Sequence, residues 1–381
     1  MNKDAYFIKK TFQLAKKGEG FTSPNPLVGA IIVKGDRIIS QGYHKKAGFP
    51  HAEAEAIRTA GENLTGTTLY VNLEPCCHFG RTPPCVDEII KKGIKRVVVA
   101  TCDPNPLVRN KSITKLKKAN IGVKVGLCEK EAEGLNEIFF KNMREAMPFV
   151  AAKTAQSLDG KIAARGGKSK WITNEKSRMF ARRLRDKYDC VLVGVNTVVA
   201  DNPCLNGLKK IPYKVVIDPY LRIPENSHLL KGNLEKLVIF TSFSSKKKVN
   251  PAPRKTPFFR TRGGVKKIPP AARVFFLKQR NGWFVLREVL KILYQLGIMS
   301  VFVEGGSETL GRFFMEKLVD KVYFFISPKI IAGTKALSSV GAEGFSSPNS
   351  CPYIEGIKIN RLDEDILISG YPCYKKICLN C

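Results

Sequence analysis

The amino-acid sequence predicts two α/β domains in series, and three observations carry that expectation. At 381 residues the chain exceeds what one ordinary core organises. In both halves, short apolar runs of strand length alternate with amphipathic stretches of helical period. Between the halves, a helical pattern over 129–147 is stopped by Pro148, and a strand pattern starts again directly after it. The expected domains are therefore 1–147 and 148–381.

Each element has its own reason. Residues 5–17 set Phe7, Ile8, Phe12 and Leu14 among lysines, the pattern of an amphipathic helix, without the uninterrupted apolar core of a secretory signal. Strands over 28–34 and 37–41 are joined by Gly35-Asp36, a two-residue hairpin turn. A helix follows from near His51 to Gly61, and a strand over 68–73 runs straight into Glu74-Pro75-Cys76. The helix 85–92 stops at Gly93; a buried strand over 96–101, a helix over 112–119 and a strand over 123–126 complete the half. Beyond Pro148, strands are expected at 149–153, 190–194, 214–217, 236–240, 273–277, 300–303 and 322–326, with helices at 175–188, 285–296 and 307–318. No internal repeat is read.

Composition excludes several classes. A hydrophobic fraction of 44% and a charged fraction of 25% are those of a soluble globular protein. No apolar run approaches the length that spans a bilayer, so no membrane association and a cytoplasmic location are expected. Eleven irregularly spaced cysteines point to free thiols or metal ligands in a reducing compartment. The net charge is +31, with 24 basic against 15 acidic side chains in residues 1–147 and 40 against 18 in the rest. That excess suits nucleic acid or phosphorylated small molecules, but its even spread reads first as solvated lysine-rich faces. Residues 246–273 hold ten basic side chains and no acidic one, with five prolines, and read as a surface loop.

The chemistry concentrates between His51 and Cys85. His51-Ala52-Glu53 is followed by Glu74-Pro75-Cys76-Cys77-His78-Phe79-Gly80-Arg81-Thr82-Pro83-Pro84-Cys85. One imidazole and two thiolates hold Zn²⁺ and leave a fourth position for water, while Glu53, two residues after the histidine, moves protons. This is the layout of zinc-dependent nucleobase deaminases, H-x-E followed by P-C-x-x-C, except that the cysteines here are nine positions apart. His51 and Cys85 each stand at a helix start, where the positive helix end favours thiolate. A structural zinc site is the alternative, with Cys77 or His78 as fourth ligand, but it gives Glu53 no task. Cys76 is preferred to Cys77 because it follows Pro75.

At this point the chain resembles the bifunctional riboflavin-biosynthesis deaminase–reductases. The resemblance rests on Ser23-Pro24-Asn25-Pro26-Leu27-Val28-Gly29-Ala30, Gly42-Tyr43-His44, the His51 triplet and the stretch from Leu73 to Cys85, and it extends over the second half. It implies a cytidine-deaminase-like three-layer α/β/α domain followed by a dihydrofolate-reductase-like α/β domain. The implied chemistry is deamination of 2,5-diamino-6-ribosylamino-4(3H)-pyrimidinone 5′-phosphate, then NADPH-dependent reduction of the ribosyl side chain to a ribityl chain. It also implies that Asn25 binds the pyrimidine, that His44 and His78 flank the substrate, and that the protein associates as a homo-oligomer, dimer or tetramer.

Without that resemblance, the second half says less. Ser157-Leu158-Asp159-Gly160-Lys161 is an Asp-Gly turn, Gly194-Val195-Asn196-Thr197 ends a buried strand, and Glu304-Gly305-Gly306-Ser307 leads from a strand into a helix. No G-x-G-x-x-G fingerprint is present. By resemblance, Ala155, Trp171, Thr197, Asp201, Thr241 and the run Gly306, Ser307, Glu308, Thr309, Leu310, Gly311 and Arg312 contact NADPH. Lys153, Ser169, Arg185, Leu205 and Glu304 contact the substrate, with the Arg185 guanidinium fork suited to its phosphate. Leu208 departs from the pattern, standing where the family often has a second arginine. The competing reading is a tRNA-type zinc deaminase with an appended basic domain, suggested by the charge; the long Cys76–Cys85 loop and the Trp171 and Glu304 segments argue against it.

Overall fold

The computed structural model describes residues 2–61, 63–79, 83–243, 258–261 and 264–374. The chain forms two compact units, Met1–Met147 and Pro148–Cys381.

The first unit is built on a sheet of β1 (Gly29–Lys34), β2 (Arg37–Tyr43), β3 (Thr68–Val71), β4 (Arg96–Val99) and β5 (Gly122–Val125), in the order β2-β1-β3-β4-β5. β1 lies antiparallel to β2 and β3, whereas β3, β4 and β5 are parallel. Lys34 pairs with Arg37 across the Gly35-Asp36 turn, and Gly35 supplies the positive φ of 59° that such a turn requires.

Strand alternation then sorts the layers. Ala30, Ile32, Leu69, Val71, Val97 and Val99 share a core with side chains of α2 (Ala52–Ala60), α3 (Cys85–Lys91) and α4 (Lys111–Lys118). Ile31, Val33, Tyr70 and Val98 share the opposite core with Phe7, Ile8 and Leu14 of α1 (Lys3–Ala15). The result is a three-layer α/β/α sandwich. With both faces covered, the central strands read as continuous apolar runs.

One helix differs from expectation. The segment over 129–147 forms two helices, α5 (Glu129–Leu135) and α6 (Glu137–Glu145), broken at Asn136. The Asn136 side chain accepts from Leu27 N at 2.7 Å and donates to Leu27 O at 3.0 Å. That tertiary pairing holds the buried Asn136 at φ −110°, ψ 25°, outside helical geometry.

The second unit holds a nine-stranded sheet. In chain order its elements are β6 (Phe149–Ser157), α7 (Glu175–Arg185), β7 (Cys190–Gly194), α8 (Val195–Asp201), β8 (Tyr213–Ile217), α9 (His228–Lys231) and β9 (Leu237–Ser242). Two small antiparallel pairs follow around β12 (Arg273–Leu277): β10 (Phe258–Thr261) with β11 (Gly264–Lys267), and β13 (Gln279–Arg280) with β14 (Trp283–Phe284). Then come α10 (Leu286–Gln295), β15 (Ser300–Val303), α11 (Ser307–Met315), β16 (Lys321–Ser327), β17 (Tyr353–Leu362) and β18 (Asp365–Cys373).

The strand order is β12-β9-β8-β7-β15-β6-β16-β18-β17. The first seven are parallel, and β18 and β17 add on antiparallel. After running outward from β7 to β12, the chain returns to insert β15 between β7 and β6. The carboxyl end of β15 is thus a topological switch point, where open α/β sheets bind ligands.

The hairpin of β17 and β18 was not foreseen: β17 is exposed along almost its whole length, and its register shifts between Glu355 and Lys358, so neither burial nor alternation marks it. The short helix α8 also escapes notice, because Val195, Val198 and Val199 read as a continuation of β7. Half of the basic stretch expected as a loop lies outside the described residues; in the described half, β10 and β11 instead pair as a short antiparallel ladder.

Candidate active site

Three sequence-distant residues converge in the first unit. His51 is the N-cap of α2, with extended backbone (φ −69°, ψ 164°). Cys85 opens α3 behind Pro84, and Cys76 sits just beyond the end of β3. His51 Nδ1 lies 3.4 Å from Cys76 Sγ and 3.4 Å from Cys85 Sγ, and the three ligand atoms lie within 4.8 Å of one another. Bonds of about 2.3 Å to sulfur and about 2.0 Å to nitrogen at tetrahedral angles produce an N–S edge of roughly 3.5 Å, so these residues fit zinc.

No fourth Cys, His, Asp or Glu joins this group among the described residues. Cys77 is turned elsewhere, its Sγ 3.8 Å from Leu107 O. The Cys85 N–H donates to Cys76 Sγ at 3.3 Å, tying the Cys76 thiol to the first turn of α3. A hydrogen bond from the Cys85 thiol, then one from His51, pulls the Cys76 thiol down, while the same contact and burial push Cys85 up.

Glu53 lies in the first turn of α2 and is only 3% exposed. Burial raises its carboxyl to about 7 against the opposing pull of His51. A carboxyl poised near neutrality both takes and returns a proton.

Asn25 and His44 come to the same place. Asn25 Nδ2 lies 3.1 Å from His44 Nε2, His44 Nδ1 lies 3.0 Å from Pro50 O, and the His44 and His51 rings meet edge to face at 5.6 Å. A carbonyl only accepts, so Nδ1 carries the proton, Nε2 accepts from Asn25, and the Asn25 amide is oriented by a neutral ring. Burial holds His44 below the ordinary histidine range, in keeping with that tautomer. His78 stands exposed on the loop between the cysteines, and Gly80 to Thr82 lie outside the described residues.

Other residues of this site carried no sequence expectation. Asn72 accepts from Gly29 N at 2.7 Å and donates to Leu27 O at 2.8 Å; with Asn136 it fixes Leu27, two residues after Asn25. Glu74 accepts from Asp103 N, Asn110 N and Ser112 Oγ, fixing the 103–112 segment. Within that segment Asp103 is buried and raised to about 6 by desolvation. A usable signal existed: Pro-Asn-Pro-Leu-Val occurs at 24–28 and again at 104–108.

In the second unit Thr197 follows the carboxyl end of β7, and Glu304 and Gly306 follow that of β15, while Lys153 and Ala155 lie on the neighbouring β6. Arg185, at the end of α7, engages Glu304 through Nε and through Nη2 at 3.0 Å, and donates from Nη1 to Asn206 O at 3.0 Å. Lys153 Nζ lies 3.6 Å from the same Glu304 carboxylate. Against the desolvation of its largely covered side chain, Arg185 and Lys153 hold the Glu304 carboxyl below the ordinary carboxylate range. Ser169 Oγ donates to Asp201 Oδ1 at 2.8 Å, joining an expected substrate residue to an expected cofactor residue.

Gly306 is the N-cap of α11 and offers no capping side chain, so the first-turn amides keep their N–H groups for another acceptor. A Cβ on Gly306 would come within 3.3 Å of Thr197 Oγ1, and one on Gly194 within 2.6 Å of Thr309 Oγ1. The starts of α8 and α11 are therefore closely apposed, a cradle that fits a phosphate-bearing cofactor such as NADPH. Ser307 and Glu308 border it, and the Arg312 guanidinium lies 3.7 Å over the Trp283 ring while pairing with Glu308.

Not every expected cofactor residue is equally available. Leu310 is buried, Gly311 is packed against the Gly341 carbonyl, and the buried Thr241 donates to Pro219 O. Ala155 is half-buried on β6 beside β16, and Leu205 is buried at φ 56°. Trp171 is 62% exposed, with Arg178 4.5 Å over its ring.

Comparison with known proteins agrees with this anatomy. Residues 1–101 match the cytidine and deoxycytidylate deaminase zinc-binding region, and residues 148–368 match the RibD C-terminal domain. The riboflavin biosynthesis protein RibD of Aquifex aeolicus is 44% identical over 96% of this chain and 97% of its own length. That of Escherichia coli is 34% identical over 96% and 98%. Among solved structures, Acinetobacter baumannii RibD superposes with a TM-score of 0.83 at 34% identity, covering 97% of this chain and 99% of its own. A Thermotoga maritima diaminohydroxyphosphoribosylaminopyrimidine deaminase/5-amino-6-(5-phosphoribosylamino)uracil reductase gives 0.83 at 35% identity, with the same coverage. With both halves matched in order and over nearly their full length, this chain belongs to the RibD family of riboflavin biosynthesis proteins.

Proposed function

We propose that the chain performs two consecutive reactions of riboflavin biosynthesis, with residues 1–147 as a zinc-dependent deaminase and 148–381 as an NADPH-dependent reductase. The observation that carries this reading is the convergence of His51, Cys76 and Cys85 on one point beside the buried Glu53. The substrate is the phosphorylated 2,5-diamino-6-ribosylaminopyrimidinone, and the product is 5-amino-6-ribitylaminouracil 5′-phosphate.

His51 Nδ1, Cys76 Sγ and Cys85 Sγ would hold the zinc ion. When bound, zinc supplies the Lewis acidity that brings water toward ionisation near neutral pH. Glu53 would accept a proton from the attacking water as the water oxygen adds to the amino-bearing ring carbon, and deliver it to the departing amine, which leaves as ammonia. Asn25, its amide oriented by His44, binds the pyrimidine edge, and His44 and His78 flank it. Burial of Glu53 keeps bulk water from competing for the proton.

In the second unit, Gly306, Ser307 and Thr197 with Asp201 and Trp171 would hold NADPH, which supplies a hydride to the ribosyl C1′ in its ring-opened form. Lys153, Glu304 and Arg185 form the polar floor beside the substrate. Glu304 fixes both cations, and Arg185 keeps two of its five N–H donors for a ligand.

Association into a homo-oligomer and a cytoplasmic location belong to the same reading. The edge strand β17 supports association, since it exposes Tyr353, Ile357 and Ile359. No helix among the described residues is long and apolar enough to cross a membrane. The deciding experiment is incubation with the phosphorylated diaminopyrimidine, with and without NADPH, each product identified by mass. Deaminated ribosyl product without NADPH and ribityl product with it are expected; recovery of unchanged substrate in both arms refutes the reading.

A further inference from the structure

Lys214 is a buried cation that the two reactions leave without a task. It is 3% exposed on β8, and among the described residues it has neither a hydrogen bond nor a carboxylate within 4.0 Å. A lysine is seldom buried without a counter-charge, because the desolvation cost is recovered only by a partner. Desolvation accordingly holds its ammonium below the ordinary lysine range, and the nearby Arg185 cation acts in the same direction.

The sheet register gives its place independently. Lys214 pairs with Val191 on β7, and Val191 pairs with Phe302 on β15. Side chains in register share a sheet face, as do residues two apart, so Lys214 lies on the same face as Glu304. Its Nζ reaches to within 3.4 Å of where a Cβ on Gly232 would stand, just past the end of α9. Three cations, Lys153, Arg185 and Lys214, thus occupy this face, and the Glu304 carboxylate is taken by the first two.

The segment between Arg185 and Lys214 adds a second sign of a missing ligand. Cys204 lies near both cations, and two residues on, the buried Asn206 Oδ1 has no hydrogen-bond partner. An ammonium lacking an anion and a carbonyl lacking a donor are what a sugar phosphate satisfies together, through its phosphate and a hydroxyl. Leu208 supplies no charge here. Its N–H and those of Lys209 and Lys210 are held by Asp186 instead.

We propose that Lys214 is a substrate-binding residue of the second unit, receiving the phosphate of the sugar-phosphate substrate between itself and Arg185. This rests on the reductase reading above. The test uses the full chain, with Lys214→Met to remove the charge and keep the stem, and Lys214→Arg to restore it. Lys214→Met should raise KM for the phosphorylated pyrimidine about 10- to 100-fold, the loss of one charge-assisted bond, with kcat nearly unchanged. It should leave turnover of the 5′-dephosphorylated compound as in wild type, and Lys214→Arg should recover most of the loss. Equal effects on both substrates, or none, overturn the proposal.

A second measurement needs neither turnover nor a variant that folds. Inorganic phosphate, at matched ionic strength, should slow alkylation of the exposed Cys204 in the wild-type chain, mapped by mass spectrometry. An unchanged alkylation rate overturns the proposal. Phosphate protection of Cys204 in a chain that oxidises no NADPH would instead remove the reductase reading and leave the anion site standing.

Discussion

Replacing Glu53 by glutamine separates proton transfer from metal binding in the first unit. Glutamine matches glutamate in volume, and the ligand atoms belong to His51, Cys76 and Cys85, so zinc content should stay at one per chain. Proton transfer should not survive. Glu53 is 3% exposed, so solvent and buffer bases have little access to replace it. A positioned acid–base group is worth about 10² to 10⁴-fold in rate, and the upper end is expected here because one carboxyl serves both the incoming and the outgoing proton. The assay is ammonia release from the phosphorylated diaminopyrimidine, with zinc measured on the same sample. NADPH oxidation on the already deaminated compound serves as the internal control and should be unaffected. Undiminished ammonia release with zinc in place would refute the assignment of Glu53, and loss of zinc would show that its role is to shape the ligand set.

Other outcomes follow from the same contacts. Asn136→Ala should cost about 1–3 kcal/mol by stranding the backbone groups of Leu27, and should raise the deaminase KM more than it lowers kcat, as read from steady-state kinetics beside a urea melt. Asp4→Asn tests the cluster in which Tyr70, Arg96 and Lys124 all donate to Asp4. Led by Arg96, these donors hold the Asp4 carboxyl well below the usual carboxylate range, so its stabilisation is complete above pH 4 or so and fades as pH falls further. The variant should lose about 1–2 kcal/mol at pH 7, discounted because Arg96 and Lys124 are part-exposed, and wild type and variant should converge in melts at low pH. Zinc chelation should abolish ammonia release while sparing NADPH-dependent reduction of the deaminated compound, and added zinc should restore it.

Much of the first unit was legible because metal chemistry restricts residue types. Only a few side chains bind zinc, so His51, Cys85 and the Cys76-Cys77 pair stand out as candidate ligands and Glu53 as the candidate proton carrier by its offset from His51, while only the fold turns Cys77 away. The supports did not declare themselves. Asn136 and Asn72 grip Leu27 from 109 and 45 residues away, and an amide in a helical or strand pattern looks the same whether or not it makes such a bond. The Asn136 contact also explains why one long helix was expected where two stand, since local propensity does not register a tertiary partner. Glu74 was read only as the residue before Pro75, yet it organises the 103–112 segment through three hydrogen bonds.

The second unit was harder to read for a different physical reason. Its expected cofactor cradle is made of backbone amides and of room left by missing side chains at Gly194 and Gly306, and many tight strand-to-helix turns look alike in sequence. Its ionic centre depends on pairs far apart in the chain, Arg185 with Glu304 across 119 residues, which no local pattern reveals. In sequence, resemblance gives the Arg185 guanidinium fork to the substrate phosphate. In the folded chain three of its N–H groups are already engaged, two by Glu304 and one by Asn206. The charge left over lies on Lys214, a residue that in sequence is one more lysine at the start of a strand. Which cation is free is a property of the pairing, and the pairing exists only once β7, β8 and β15 are in register.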